Sequence, residues 1–218
     1  MGDRVDELVA RQLGHEPPLP GEPIDWAEVD AEAQREWREA KAAVLLRSLD
    51  PMYHEAAPHH DMSRRWLDAY RAGRYVNLGI FGATGVGKTW EAAGIARELL
   101  ASMVPALMTS VPAMLQRLHP AHGDPLNIGQ YQAAPVLILD DLGAELPLKD
   151  WMAEALYRIS DFRSRKLLPT IVTSNLGDPA LEAAYNDRLL RRLFQGAARL
   201  VITTLPAGAA PLRFGGRL

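Results

Sequence analysis

Gly82-Ala83-Thr84-Gly85-Val86-Gly87-Lys88-Thr89, GATGVGKT, governs the reading of the whole chain. It satisfies GxxxxGK[ST] at every defined position. The apolar run Val76 to Phe81 leads into it and Trp90 to Ser102 leads out as a helix, so the local order is strand, loop, helix. Glycines let a backbone wrap close to phosphate oxygens, and the amides at a helix start point inward with the positive end of the helix dipole. Lys88 is placed to reach β- and γ-phosphates, and Thr89 to offer its hydroxyl to Mg²⁺. A generic glycine turn needs neither a lysine nor a threonine at these places. Gly82 through Trp90 is therefore the candidate nucleotide-binding segment. Its contacts go to phosphate, which leaves the base unspecified.

Downstream, PVLILDDLG (135–143) carries an apolar strand to two aspartates at its carboxyl end, where a parallel sheet places ligands. Asp140 is the expected Mg²⁺ ligand. Asp141 is the candidate for orienting or deprotonating an attacking water. Taken alone, the pair also fits a helix cap or turn. A second buried strand, LPTIVTSNL (168–176), ends in Asn175, whose amide is suited to sensing a γ-phosphate, with Thr173 and Ser174 as lesser contributors. Asn is equally a common turn residue. In YNDRLLRRLFQGAARL (185–200), helical spacing puts Arg188 on one face with both Arg191 and Arg192. Arg191 reads as a solvated charge. Arg188 or Arg192 has the chemistry to enter the nucleotide site of a neighbouring subunit. Arg213 and Arg217, in the Gly- and Pro-rich tail, either approach the same nucleotide in cis or meet solvent.

Strand candidates at Val76 to Phe81, Val104 to Met108, Val136 to Leu139, Thr170 to Thr173 and Leu200 to Thr204 alternate with helical candidates at 90–102, 149–165 and 187–194. Strands that are apolar throughout are those covered on both faces, so the expectation is a three-layer α/β/α domain with a mainly parallel sheet. Over 111–134, prolines and glycines predict a short helix to Leu118 and then a loop. Ahead of this domain, GHEPPLPGEPID (14–25) reads as a flexible joint. Residues 26–49 read as a long amphipathic helix ending before Pro51, and Met62 to Ala72 as another. The division is an N-terminal arm over 1–57, suited to partner docking, and a nucleotide-binding domain over 58–218.

Composition bounds the alternatives. Residues 1–50 carry 12 acidic and 6 basic side chains, against 15 and 18 over 51–218, so the arm repels a nucleic-acid backbone and the remainder tolerates one. The absence of cysteine excludes disulfides and thiolate metal ligands. The six histidines are scattered, and His59-His60 lacks metal-site spacing. No run approaches the roughly 18 apolar residues of a membrane span, and the charged start carries no secretory signal. The expectation is a cytoplasmic protein with no membrane partner.

Together GATGVGKT, VLILDDLG, PTIVTSNL and DRLLRRLFQGA make the chain resemble the AAA+ ATPases of the DnaC/IstB group, over about residues 60–205. This group includes bacterial and phage helicase loaders and the ATP-binding helper proteins of certain transposons. The resemblance implies a P-loop NTPase core with a five-stranded parallel sheet of order 5-1-4-3-2 and no helical lid domain, binding and hydrolysing ATP with Mg²⁺. By it Lys88, Thr89 and Asp140 correspond to nucleotide and metal contacts, Asp141 to the catalytic acid and Asn175 to the sensor 1 residue. Arg188 or Arg192 corresponds to the arginine finger, with Arg192 favoured by its place in RLFQGA.

The implied function is loading a DnaB-like hexameric replicative helicase onto single-stranded DNA through self-associating ATPase domains. The runner-up is a transposition helper whose partner is a transposase. A small-molecule kinase would use the same loop, but the chain shows no inserted lid. Two departures stand out. The acidic pair is Asp–Asp where the family often has Asp–Glu, which shortens the reach of Asp141 and favours slow turnover or a noncatalytic, nucleotide-gated module. No sensor 2 segment is evident either, and Arg213 within PLRF is the candidate replacement.

Overall fold

Apolar, β-branched runs that end in polar residues become strands, and the segments between them, with one apolar side, become the helices that cover the sheet. The computed structural model describes residues 31–120 and 127–203. Helix α1 (Ala31–Leu46), a 3-10 turn (Pro51–Tyr53) and α2 (Asp61–Arg71) precede β1 (Leu78–Phe81) and α3 (Lys88–Ala101). There follow β2 (Ala106–Ser110), α4 (Val111–Arg117), α5 (Asn127–Ala133), β3 (Val136–Leu142) and α6 (Asp150–Arg165). The described part ends with β4 (Thr170–Ser174), α7 (Asp178–Ala184), α8 (Asp187–Phe194) and β5 (Ala198–Val201).

The five strands are parallel and ordered β2-β3-β4-β1-β5, which is 5-1-4-3-2 from the opposite edge. This is the P-loop AAA+ arrangement. Register brings the functional segments level: Phe81 pairs with Ser174 and Val201, and Ser110 with Asp140. The phosphate loop, the acidic pair and Asn175 thus leave the same carboxyl edge of the sheet, where side chains from separate strands can meet.

Strand alternation divides the core between two faces. Leu78, Ile80, Val136, Ile138 and Ile171 pack on one side with α3 and with Trp66, Leu67 and Leu45 of the preceding helices. Phe81, Leu137, Leu139 and Val172 pack on the other with α6 and α8 through Leu156, Ile159, Leu189 and Leu193. Behind that second face, Arg163 is 1% exposed. It donates to Thr170 Oγ1 and to the carbonyls of Tyr131, Gln132, Ala134 and Pro169, tying α5 and α6 to the ends of β3 and β4.

Several expected boundaries move. β2 starts at Ala106, two residues late, because its ladder with β3 begins at Ala106 and Val136. β5 covers Ala198–Val201, earlier than expected, because Ala198 pairs with Leu78. Helix α5 replaces the loop expected before β3. Gly129 hides it in the sequence, but the fully buried Tyr131 anchors it. Helix α7 was also unmarked, although Pro179 in its first turn is a regular helix opener. The joint at 14–25, Trp26, Arg213 and Arg217 lie outside the described residues. No described helix is long and apolar enough to cross a membrane.

Candidate functional site

The phosphate loop turns on positive φ values at Gly82 (152°), Gly85 (83°) and Gly87 (94°). At Gly82 an added Cβ would lie 2.2 Å from the carbonyl oxygen of Ile202, so glycine is required by contact as well as by conformation. Gly87 caps α3 without a side-chain hydrogen bond to the first-turn amides. Those amides are the donors that a phosphate takes at a helix start.

Lys88 opens α3 and is 5% exposed. Its Nζ donates to the Ala83 carbonyl at 2.8 Å and to Asn175 Oδ1 at 2.5 Å. Burial lowers the ammonium pKa, and the carboxylates of Asp141 and Asp140 oppose that shift. Next along, Thr89 Oγ1 donates to Asp140 Oδ2 at 3.1 Å. Asp140 Oδ1 accepts from Thr173 Oγ1 at 2.6 Å. Burial raises the Asp140 pKa and the charge of Asp141 adds to this, while the Thr173 and Thr89 hydroxyls and Lys88 work the other way. Asp141 is half-buried, with φ of 58°.

The structure thus brings together Lys88 with Asn175 and Thr89 with Asp140, each pair by a direct hydrogen bond, with Asp141 beside Asp140. The donor set fits a nucleotide with a divalent cation. An ammonium among neutral oxygens is a cation whose acceptors phosphate oxygens can replace. A hydroxyl next to a carboxylate oxygen is the hard oxygen pair that Mg²⁺ takes.

Tyr53, in the 3-10 turn near the end of the arm, escaped the sequence reading. Its ring meets that of Trp90 edge-on, with centroids 6.2 Å apart. Burial raises its hydroxyl pKa, and Asp140, Asp50 and Asp141 push it the same way, which places Tyr53 within the field of the acidic pair. Glu91 also went unmarked. It is 2% exposed in the first turn of α3 and accepts the amides of His59 and His60 at 2.9 and 3.0 Å. One turn on, an added Cβ at Gly94 would lie 2.4 Å from the carbonyl carbon of Ala57, so residues 57–60 run against this helix.

The arginines lie elsewhere. Arg191 pairs with Asp187 at 2.7 Å, and Arg192 with Asp161 of α6 at 3.1 Å. Asn77, just before β1, donates to the carbonyls of Arg192 and Leu193 at 3.0 Å each. The end of α8 is thereby fixed at the amino end of β1, about 13 Å of strand from the phosphate loop. Arg188 is exposed, about 6 Å nearer the helix start. That start sits beside Tyr185, whose hydroxyl donates to Glu145. Glu145 in turn accepts the amide of Gly143 at 2.9 Å, next to the acidic pair.

A family model described as IstB-like ATP binding protein matches residues 46–195. A Sinorhizobium fredii (strain NBRC 101917 / NGR234) protein named as an insertion sequence ATP-binding protein, y4uH, is 27% identical over 195 residues, covering 81% of this chain and 78% of its own. The replicative helicase loader DnaI of Bacillus subtilis (strain 168) is 31% identical over 158 residues, 69% of this chain and 50% of its own length. A crystal structure of DnaI matches with a TM-score of 0.61 at 27% identity, covering 72% of this chain and 96% of that one. The DnaC helicase loader shares the fold, with a TM-score of 0.59 at 21% identity, covering 70% and 99%.

Proposed function

We propose, on the premise that the chain belongs to the IstB-like ATP-binding protein family, that it is an ATPase whose nucleotide state switches an assembly which loads a hexameric replicative helicase onto single-stranded DNA. The observation that carries the ATPase reading is the direct contact of Lys88 with Asn175 and of Thr89 with Asp140 across three strand ends. Lys88 and the first-turn amides of α3 hold the β- and γ-phosphates, and Thr89 and Asp140 hold Mg²⁺. Mg²⁺, when bound there, neutralises charge on the transferring phosphoryl group. Asp141 orients the attacking water and accepts its proton. Asn175 contacts the γ-phosphate once Lys88 turns to it. The short Asp141 side chain makes turnover slow, consistent with a switch rather than a motor.

Self-association completes the site. Arg188 and Arg192 are the candidates for the arginine that enters a neighbour's site. The ion pair of Arg192 with Asp161 and the position of α8 favour Arg188. The arm over 1–57 is the docking element for the helicase. Similarity to DnaI supports the loader. The family description and similarity to y4uH support a second reading, a transposition helper with a transposase as partner. Affinity capture from the native cell with ATP present separates the two. Recovery of a replicative helicase, lost when Lys88 is replaced by alanine, is the expected result. Recovery of a transposase in its place overturns the loader reading in favour of the helper.

A further inference from the structure

β3 and β4 pair regularly from Leu137 with Thr170 to Leu139 with Val172, and then the register slips, so that Leu142 next pairs with Ser174. Between Leu139 and Leu142 the strand bulges at Asp140 and Asp141, and Asp141 takes φ of 58°. A non-glycine residue in the left-handed region costs about 1 kcal/mol or more and persists only where its surroundings hold it. Two fully buried hydroxyls of β4 lie against this bulge, Thr173 and Ser174.

The Thr173 hydroxyl is used twice. Its oxygen accepts the Asp141 amide at 2.9 Å, and its proton goes to Asp140 Oδ1 at 2.6 Å. An amide can only donate and a hydroxyl has one proton, so the direction of this relay is fixed: Asp141 N–H to Thr173 to Asp140. Hydrogen bonds chained this way strengthen one another. The Ser174 hydroxyl donates to the Leu142 carbonyl at 2.6 Å and accepts the Leu176 amide at 3.1 Å, closing the far side of the bulge. The two side chains thus serve backbone groups of the irregular segment. They also leave Asp140 with one oxygen anchored and the other, Oδ2, turned to Thr89.

We infer that Thr173 and Ser174 are positioning residues for the acidic pair: they hold the bulge that aims Asp140 Oδ2 at the cation site and turns Asp141 out of the sheet. The inference rests on the reading of this site as one for ATP and Mg²⁺. A plain buried strand would place valine at 173 as readily as threonine, since the two have the same shape. The hydroxyl is what the bulge requires.

The test uses the full chain with Thr173→Val, Thr173→Ser and Ser174→Ala, reading Mg²⁺-dependent binding of a fluorescent ATP analogue, steady-state hydrolysis and thermal melting. Removal of a group that orients a metal ligand typically costs about 10- to 100-fold in metal affinity or activity. Thr173→Val is expected to raise the Mg²⁺ concentration for half-maximal binding and to lower kcat, each by about 10-fold or more, with Mg²⁺-free nucleotide affinity changed less than about 3-fold. Thr173→Ser restores both, and Ser174→Ala shows the smaller loss. Wild-type behaviour of Thr173→Val overturns the inference. So does equal impairment of Thr173→Val and Thr173→Ser with a shared fall in melting temperature, which indicates packing alone. Absence of Mg²⁺-dependent nucleotide binding in the wild type refutes the reading of the site instead. A crystal structure of Thr173→Val then decides the inference, which fails if Asp140 and Asp141 keep their orientations.

Discussion

Lys88 Nζ lies 2.5 Å from Asn175 Oδ1, so the ammonium that opens α3 and the amide that ends β4 face each other although 87 positions separate them. Their roles divide by charge. Lys88→Ala removes a cation from the phosphate loop and is expected to abolish measurable ATP binding. Asn175→Ala removes the neutral group proposed to orient the γ-phosphate, so binding is expected within about 3-fold of wild type and kcat lower by about 100-fold. Isothermal titration with a nonhydrolysable analogue, alongside single-turnover hydrolysis, checks the division. Equal loss of binding in both variants refutes it.

Asp141 adjoins the anchored Asp140 and is the residue proposed to act on water. Asp141→Asn preserves size while removing the base, and is expected to retain nucleotide affinity while hydrolysis falls by about 100-fold or more. Phosphate release at saturating ATP measures this. Hydrolysis at the wild-type rate would leave Asp141 without a catalytic part.

Arg188 and Arg192 are separable by subunit mixing. Lys88→Ala subunits lack a working phosphate loop but keep their arginines, and Arg188→Ala subunits have the reverse defect. Their mixture is expected to regain part of the ATPase activity that neither has alone, whereas Arg192→Ala is expected to be active unmixed. If Arg192→Ala is inactive unmixed and regains activity with Lys88→Ala, the assignment passes to Arg192.

Arg163 is buried with no carboxylate partner among the described residues, and burial lowers its pKa to about 10. It stays charged because four carbonyls and the Thr170 hydroxyl surround it. Arg163→Met fills similar space but leaves those acceptors unpaired, so a loss of about 3 kcal/mol or more is expected in urea melts. A loss below about 1 kcal/mol would show that water takes the place of the guanidinium.

Glu91 gives acid sensitivity to the join between the 57–60 segment and α3. Burial acts to raise its pKa, but the nearby Ser63 hydroxyl, hydrogen bonds from the His59 and His60 amides and the His60 ring, 3.1 Å away, outweigh it, and the net shift is downward. A depressed carboxyl pKa stabilises the fold above the unfolded value, about 4.3, and that contribution fades as pH falls through the lower folded value. The melting-temperature gap between wild type and Glu91→Gln is therefore expected to be constant from pH 7 to about pH 5 and to narrow below about pH 4. A gap independent of pH would show that the charge of Glu91 contributes nothing.

Local chemistry made a large part of this molecule legible from its residues. GATGVGKT needs only its own glycines, lysine and threonine to declare a phosphate loop, because the loop closes within eight consecutive residues. Helix α8 was placed at 187–194 by its helical pattern, and the structure adds the cap, Asn186 Oδ1 accepting the Leu189 amide. β2 and β5 were misplaced because a strand's bounds depend on which neighbour it pairs with. The place of Asn175 beside Lys88 could not be read from the sequence, where it fits turn and ligand equally.

The relay through Thr173, the burial of Glu91 and the pairing of Arg192 with Asp161 have no local signal at all. Each joins groups far apart in the chain whose meeting is set by strand register and helix packing. Sequence alone thus determined the kind of chemistry available and the layered fold that presents it, since both follow from short-range pattern. Only the tertiary structure decided which oxygen of Asp140 points at Thr89, and which arginine pairs with Asp161, because orientation is a property of contacts between distant segments.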